Sequence, residues 1–415
     1  MQRARPRRWP RSSGRSRPAP EPRHPDEPRS TPLYLAGLPE PWRAGWAPFA
    51  RALERGAARL GLAPLAGLAG WLADDLEIGR PPSATVEQAI AGLLGRPLAA
   101  EPLVEGPFAR LVRLGPTRSS RYPRILLVAP CSGYAASVLA ELAALLLEAG
   151  ELALLEWRDA RLVPVAHGPF GAAEQAAETG RAVARFTPDL VVAVSQAGDA
   201  ALAATLAARR DAPPRGPAGL VLLGTPCLPE RDPTPLQRTL ALVPEATLAA
   251  LCLAPVSGNW PGAGRRVFPG RLQLSTVAAA DPWIYGAVRI GAIAERLDGR
   301  AGPRCRALAD LHALQDVPGE LWLDLVARLR GGTPALSEAA REASRGLALL
   351  TVEAEADALV GPGQTHGLHE RLAAGELRAG LTLPAAGHHD LFTGARFRAA
   401  LAPRLLAFVA RVREG

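Results

Sequence analysis

The sequence predicts an α/β fold built on a doubly wound, mostly parallel sheet, and three observations lead there. Short apolar runs rich in Val, Ile and Leu recur at residues 124–129 (RILLVA), 152–156 (LALLE), 190–194 (LVVAV), 219–223 (GLVLL) and 347–353 (LALLTVE). Each has the length of a buried parallel strand, and alanine-rich stretches of helical length lie between the first four. Residues 189–200, DLVVAVSQAGDA, then pass from strand to helix at a single serine. The expected parts, in order, are a tail (1–30), an N-terminal helical arm or subdomain (31–118), a first core segment (119–225), an inserted helical lid (226–345) and a second core segment (346–415).

The tail carries nine arginines against Glu21, Asp26 and Glu27, most of the net charge of +8 on a chain of 415 residues. It is rich in Pro, Ser and Arg with almost no apolar side chains, so it is expected to be disordered. All 48 basic residues of the chain are arginine, and a solvated extension explains the tail as well as an anion-binding one does. Nucleic acid is not the expected partner. Arg7-Arg8 resembles the pair of an export signal, but no apolar stretch follows it, so a cytoplasmic protein is expected. The arm is read as helical from segments containing Trp42, Trp46, Phe49 and Trp71, broken at Gly and Pro.

Within the first core segment, Ala193-Val194-Ser195-Gln196-Ala197 places a serine between small residues two positions away on either side. Minimal side chains there let the backbone turn sharply and lift Ser195 Oγ above the sheet as a nucleophile. Ala335-Leu336-Ser337-Glu338-Ala339 has the same pattern, but it follows Gly331-Gly332-Thr333-Pro334 and reads as a helix start. Beyond Ser195, Asp357 lies just past the 347–353 run, and His388 follows Gly387 after a further apolar run at 381–384. Serine, acid, then histidine is the chain order of an α/β-hydrolase. His388 would take the serine proton, and Asp357 would orient the imidazole.

Glu353 and Glu355 compete as the acid, although Glu353 falls inside the strand, and His389 competes as the base. His366 and His369 have helical-face spacing but no further ligand cluster, so they read as a solvated face, with no metal site and no cofactor implied. An oxyanion needs backbone donors, one from the residue after the nucleophile and one from an earlier loop. Gln196 supplies the first, and Cys131 or Ser132, in the turn after RILLVA, the second. The insertion concentrates aromatic residues, Trp260, Phe268, Trp283, Tyr285 and Trp322. They either line a substrate groove or pack the lid onto the body.

Six segments, ILLVAPCSGYAASVL, EWRDARLVPVAHGPF, VVAVSQA, VFPGRLQLS, LLTVEAEADALVGPGQT and AAGHHDLFTGARF, carry a resemblance to the intracellular polyhydroxyalkanoate depolymerases. It runs from about residue 31 to the C-terminus. The resemblance implies an α/β-hydrolase acting on storage polyester granules or hydroxyalkanoate oligomers, with the nucleophile at Ser195, the acid at Asp357 and the histidine at His388. The chain departs from the family's usual elbow, cysteine followed by Gln-Pro, with Ser195, Gln196 and Ala197. Serine is almost never ionised without a base, so the change increases the dependence on His388. A small-molecule carboxylesterase or thioesterase is the alternative enzyme. A non-catalytic granule-associated protein is the alternative outside enzymes.

Cys131, Cys227, Cys252 and Cys305 are widely spaced. They suggest neither zinc nor a disulfide scaffold. No run reaches transmembrane length, so any association with a hydrophobic polymer is expected to be peripheral.

Overall fold

The computed structural model describes residues 7–8, 40–76, 81–82, 84–118, 122–212, 216–280, 282–300 and 302–414. Their strands, in chain order, are β1 (Arg7–Arg8), β2 (Ala100–Glu105), β3 (Ala109–Leu114), β4 (Arg124–Val128), β5 (Glu151–Trp157), β6 (Leu190–Val194) and β7 (Gly219–Leu223). Then come β8 (Ala254–Pro255), β9 (Arg266–Phe268), β10 (Val317–Pro318), β11 (Ala348–Ala354) and β12 (Arg378–Leu383). One sheet runs β1-β2-β3-β5-β4-β6-β7-β11-β12. β3 is antiparallel to both β2 and β5, and every pairing from β5 to β12 is parallel. Strand order reverses at β5-β4-β6, the topology of an α/β-hydrolase, and ligands of such sheets bind beyond the carboxyl ends of the strands.

The middle strands explain why the apolar runs do not alternate. All residues of β6, β7 and β11 are buried, because helices cover the sheet. Ala140–Ala149 packs with Ala402–Glu414, and Ala172–Phe186 packs with Gly198–Asp211.

Two expectations change. The segment 31–118 is not helical throughout: β2 and β3 join the central sheet. Their signal was the short Leu- and Val-containing run ARLVRL, with Arg110 and Arg113 less buried than their neighbours, after the turn at Gly106-Pro107. The insertion 226–345 contains helices as expected but also a small antiparallel sheet, β10-β9-β8. Strands of two and three residues are too short to leave a period in the sequence.

The arm begins as a helical pair, Glu40–Arg59 and Ala63–Leu76, packed on each other and on Pro282–Leu297 of the insertion. Glu54 bonds Arg296 at 2.9 Å, and a Cβ on Gly67 would lie 2.4 Å from Arg296 O, so only glycine permits that approach. The pair buries Ala47, Ala50, Ala57, Ala69 and Ala73 and leaves Trp46, Phe49, Leu68 and Leu72 exposed. Of the tail, Arg7–Arg8 pairs in parallel with Val104 and Glu105 of β2; the expected disorder of the rest lies outside the described residues.

Candidate active site

β6 ends at Val194, and the chain turns through Ser195–Ala197 into the helix Gly198–Asp211. Ser195 has φ +54°, one of four non-glycine residues with positive φ among those described. A side chain in that region costs on the order of 1–3 kcal/mol, and surrounding structure must hold it there. Here that structure is tight. Ala193 and Ala197 are fully buried, and a Cβ on Gly198 would fall 2.5 Å from Thr225 Cβ. The strain and the crowding explain the small residues around Ser195.

Asp357 follows the end of β11. Its Oδ1 accepts from the backbone N–H of Leu359 at 2.8 Å and Val360 at 3.0 Å. Its Oδ2 lies 2.7 Å from His388 Nδ1, and His388 Nε2 lies 3.1 Å from Ser195 Oγ. Burial opposes the Asp357 charge, but the His388 ring and the two N–H groups outweigh it and hold the carboxyl below its usual range. His388 opens a short turn, His388–Leu391, in which Asp390 accepts from Gly387 N–H at 2.9 Å. Serine, imidazole and carboxylate thus form one hydrogen-bonded line, able to pass a proton from Ser195 to His388 while Asp357 holds the tautomer.

The rivals take other parts. Glu353 is buried in β11 and accepts from the backbone N–H of Gly363 at 2.9 Å and of Thr365 and His366 at 2.8 Å each. It therefore anchors the loop that presents Asp357. Glu355 accepts from Ala385 N–H at 2.7 Å. His389 lies edge-on to His388, ring centroids 5.9 Å apart, and is open to the cavity yet surrounded by protein. That enclosure, reinforced by His388, pushes its pKa down to about 4. Ser337 accepts from Ala340 N–H as a helix cap. His366 and His369 are not a solvated face: both are half-buried and share the Thr351 hydroxyl, at 2.7 and 2.8 Å. Among the described residues no group of three or more His, Cys, Asp or Glu could hold a metal ion.

The loop after β4 holds Cys131 and Ser132. Cys131 is buried, which pushes its thiol pKa up, and its sulfur accepts from Gln175 Nε2 at 3.2 Å. Ser132 lines the same cavity as Ser195, Gln196 and His388. With its carboxamide oriented to satisfy both ends, Gln196 accepts through its side-chain oxygen from Cys131 N–H at 2.8 Å and Ser132 N–H at 3.0 Å. Tyr134, in the same loop, donates to Asp159 at 2.7 Å. Asp159 also binds Arg161, which reaches Asp316 of the insertion at 3.1 Å.

The cavity has a volume of about 360 Å³. The insertion covers it with Phe268, Leu272, Trp322 and Val326, among others, and Phe268 and Trp322 stack at 4.6 Å. Arg328, from the same helix as Trp322, pairs with Asp199 on the cavity wall and donates to Cys227 O at 3.0 Å. Trp260 and Tyr285 serve packing instead. Trp260 lies under Arg161, and Tyr285 bonds His312 at 3.2 Å. The side chain of Trp283 lies outside the described residues.

The sequence reading missed Gly224. It follows β7 at φ +55°, and a Cβ there would lie 3.1 Å from His388 Cε1 and 2.7 Å from Leu391 Cδ1. The Gly224-Thr225-Pro226 run after GLVLL was its signal. Thr225 is joined to the acid loop: Thr365 Oγ1 donates to Thr225 O at 2.8 Å and accepts from Thr225 N–H at 3.1 Å.

No curated protein matches the sequence. Among solved structures, an M. tuberculosis esterase is 15% identical over 80% of this chain and 100% of its own, with a TM-score of 0.43. An α/β-hydrolase fold protein from Nakamurella multipartita is 15% identical over 74% and 96%, TM-score 0.41. A carboxylesterase of the thaumarchaeon Nitrososphaera gargenis is 13% identical over 73% and 96%, TM-score 0.43. Residues 335–413 match the family described as PHB de-polymerase C-terminus. That segment holds β11, Asp357, β12 and His388, the two edge-side strands and the residues that complete the line to Ser195. In that segment the chain is similar to the PHB depolymerases, and its sheet has the α/β-hydrolase topology.

Proposed function

We propose that the chain is a serine-dependent polyhydroxyalkanoate depolymerase that cleaves 3-hydroxyalkanoate ester bonds. The observation that carries this reading is the line Asp357, His388, Ser195, with contacts of 2.7 and 3.1 Å, opening on an apolar-walled cavity. Ser195 Oγ attacks the ester carbonyl carbon as His388 Nε2 takes its proton. Collapse of the tetrahedral species breaks the C–O bond, and His388 protonates the departing alkoxide, freeing a hydroxyl-ended chain. Water then gives a proton to His388 and attacks the acyl carbon, the acyl–Oγ bond breaks as His388 returns that proton to Ser195 Oγ, and a carboxylic acid leaves.

On this reading residues 226–345 act as a lid whose apolar wall receives the polyester, and the enzyme works in the cytoplasm at the granule surface. No described helix is long and apolar enough to cross a membrane, and contact with the polymer would be peripheral. The cavity volume also suits a small ester or thioester, since small-molecule pockets begin near about 300 Å³. Incubating the protein with amorphous polyester granules and with short p-nitrophenyl esters separates the readings. Release of soluble 3-hydroxyacids supports the depolymerase; turnover of small esters alone supports the second; granule binding without turnover removes both.

A further inference from the structure

The side chain of Gln196 has no part in the chemistry above, yet it takes both loop N–H groups, Cys131 and Ser132, that compete to be the second oxyanion donor. Its oxygen lies 2.8 Å from the amide of Cys131 and 3.0 Å from that of Ser132. Two successive amides converging on one oxygen form a concavity that suits a developing negative charge. Gln196 and Ser132 share the cavity wall with Ser195. In this structure the concavity is filled by the chain's own carboxamide.

The loop does not depend on that carboxamide for its shape. Ser132 O accepts from Gln315 N–H at 3.2 Å, and Gly133 forms an isolated bridge with Leu314. Tyr134 is held by Asp159, and the Cys131 side chain by Gln175. Three ties, the bridge through Gln315 and the Tyr134 and Cys131 side chains, fix the turn from other directions, so removing the Gln196 oxygen frees the two amides and leaves them in place.

We propose that the Gln196 side chain is a displaceable stand-in for the ester carbonyl. It occupies the loop amides in the resting enzyme and yields at least one of them to the substrate oxygen as Ser195 attacks. An ester must therefore out-compete a carboxamide, which favours substrates anchored elsewhere in the cavity over small unanchored ones. The proposal rests on Ser195 being the nucleophile.

The test compares the full chain with Gln196→Ala and Gln196→Leu, neither of which can accept a hydrogen bond. Amide hydrogen exchange across residues 130–134 is expected to quicken in both variants. Turnover of p-nitrophenyl butyrate, as kcat/KM, and affinity for phenylboronic acid, which forms a tetrahedral adduct on a nucleophilic serine, are expected to rise together by about five- to tenfold, the worth of one to two modest hydrogen bonds. Unchanged exchange overturns the proposal, because the bonds would then be absent. So does a fall in kcat with weaker boronate binding, because the carboxamide would then be holding the donors in place. Ser195→Ala run in parallel tells the two failures apart. If that variant keeps its esterase activity, the nucleophile reading has failed, and the exchange data still report whether Gln196 covers the loop.

Discussion

Asp357 gives one oxygen to His388 at 2.7 Å and the other to two backbone N–H groups at 2.8 and 3.0 Å. The carboxylate cannot rotate without losing bonds on both sides, so the imbalance it creates at His388 Nδ1 is fixed in direction. Asp357→Asn keeps the shape but offers an NH₂ or a neutral oxygen where a charge stood. Turnover is expected to fall by about 10³- to 10⁴-fold with the fold retained, measured by steady-state ester hydrolysis and circular dichroism. A carboxyl held below its usual range contributes stability above that range and loses it as pH falls through the lowered value. Acid denaturation of Asp357→Asn, begun below about pH 4, should accordingly be shallower than that of the parent.

Ser195→Ala removes only a hydroxyl at a strained turn, and alanine meets the same φ. Turnover is expected to fall at least about a thousandfold, while thermal unfolding changes little. Ser195→Cys should retain activity on activated esters, because His388 can serve either atom, and iodoacetamide should then silence it. Activity that survives alkylation would exclude residue 195 as the attacking group.

The adjacent histidines separate by titration as well as by position. His388→Ala should abolish hydrolysis of polymer and small esters alike, whereas His389→Gln should cost far less. With its pKa pushed down to about 4, His389 stays neutral through the range in which an enzyme of this kind works. Its replacement should therefore leave the acid limb of the pH–rate profile where it was. A profile displaced in His389→Gln would make His389 the titrating base.

Glu353 makes no contact with the reacting groups but holds three backbone N–H groups of the acid loop. Glu353→Gln keeps one accepting oxygen and turns an NH₂ toward a donor. A loss of about 1–3 kcal/mol is expected, read from denaturant unfolding. Glu353→Ala should lose more and lower kcat with it.

The central sheet was legible because four of its strands are apolar on both faces, and a run such as LVVAV has few other uses. The order serine, acid, histidine was legible because each of the three follows a strand end. β3 was hidden by its own pattern: Arg110 and Arg113 lie three residues apart, an interval that suits a helix face as well as a strand. Glu353 could be placed in its strand from sequence, but its work as an anchor depends on a loop folding back ten residues later. Gly224 shows the same limit. Its need for glycine comes from the approach of His388, more than 160 residues along the chain. His366 and His369 read as solvent-facing in the sequence because Thr351, the hydroxyl between them, belongs to a buried strand with no visible reason to meet them.

β7 pairs with β11 directly, although the whole inserted segment lies between Leu223 and Ala348. Bringing those two strands together closes a long loop, and closure entropy grows only with the logarithm of loop length, about 0.6 kcal/mol for each doubling. The insertion can thus grow, shrink or be exchanged at little thermodynamic cost to the sheet. The cost falls on kinetics: during synthesis the strands up to β7 must wait, with β7 as an unpaired apolar edge, until Ala348 emerges. A change of length at this junction is therefore nearly free in stability and constrained in folding time, so the roof over Ser195 tolerates rebuilding that the floor beneath it does not.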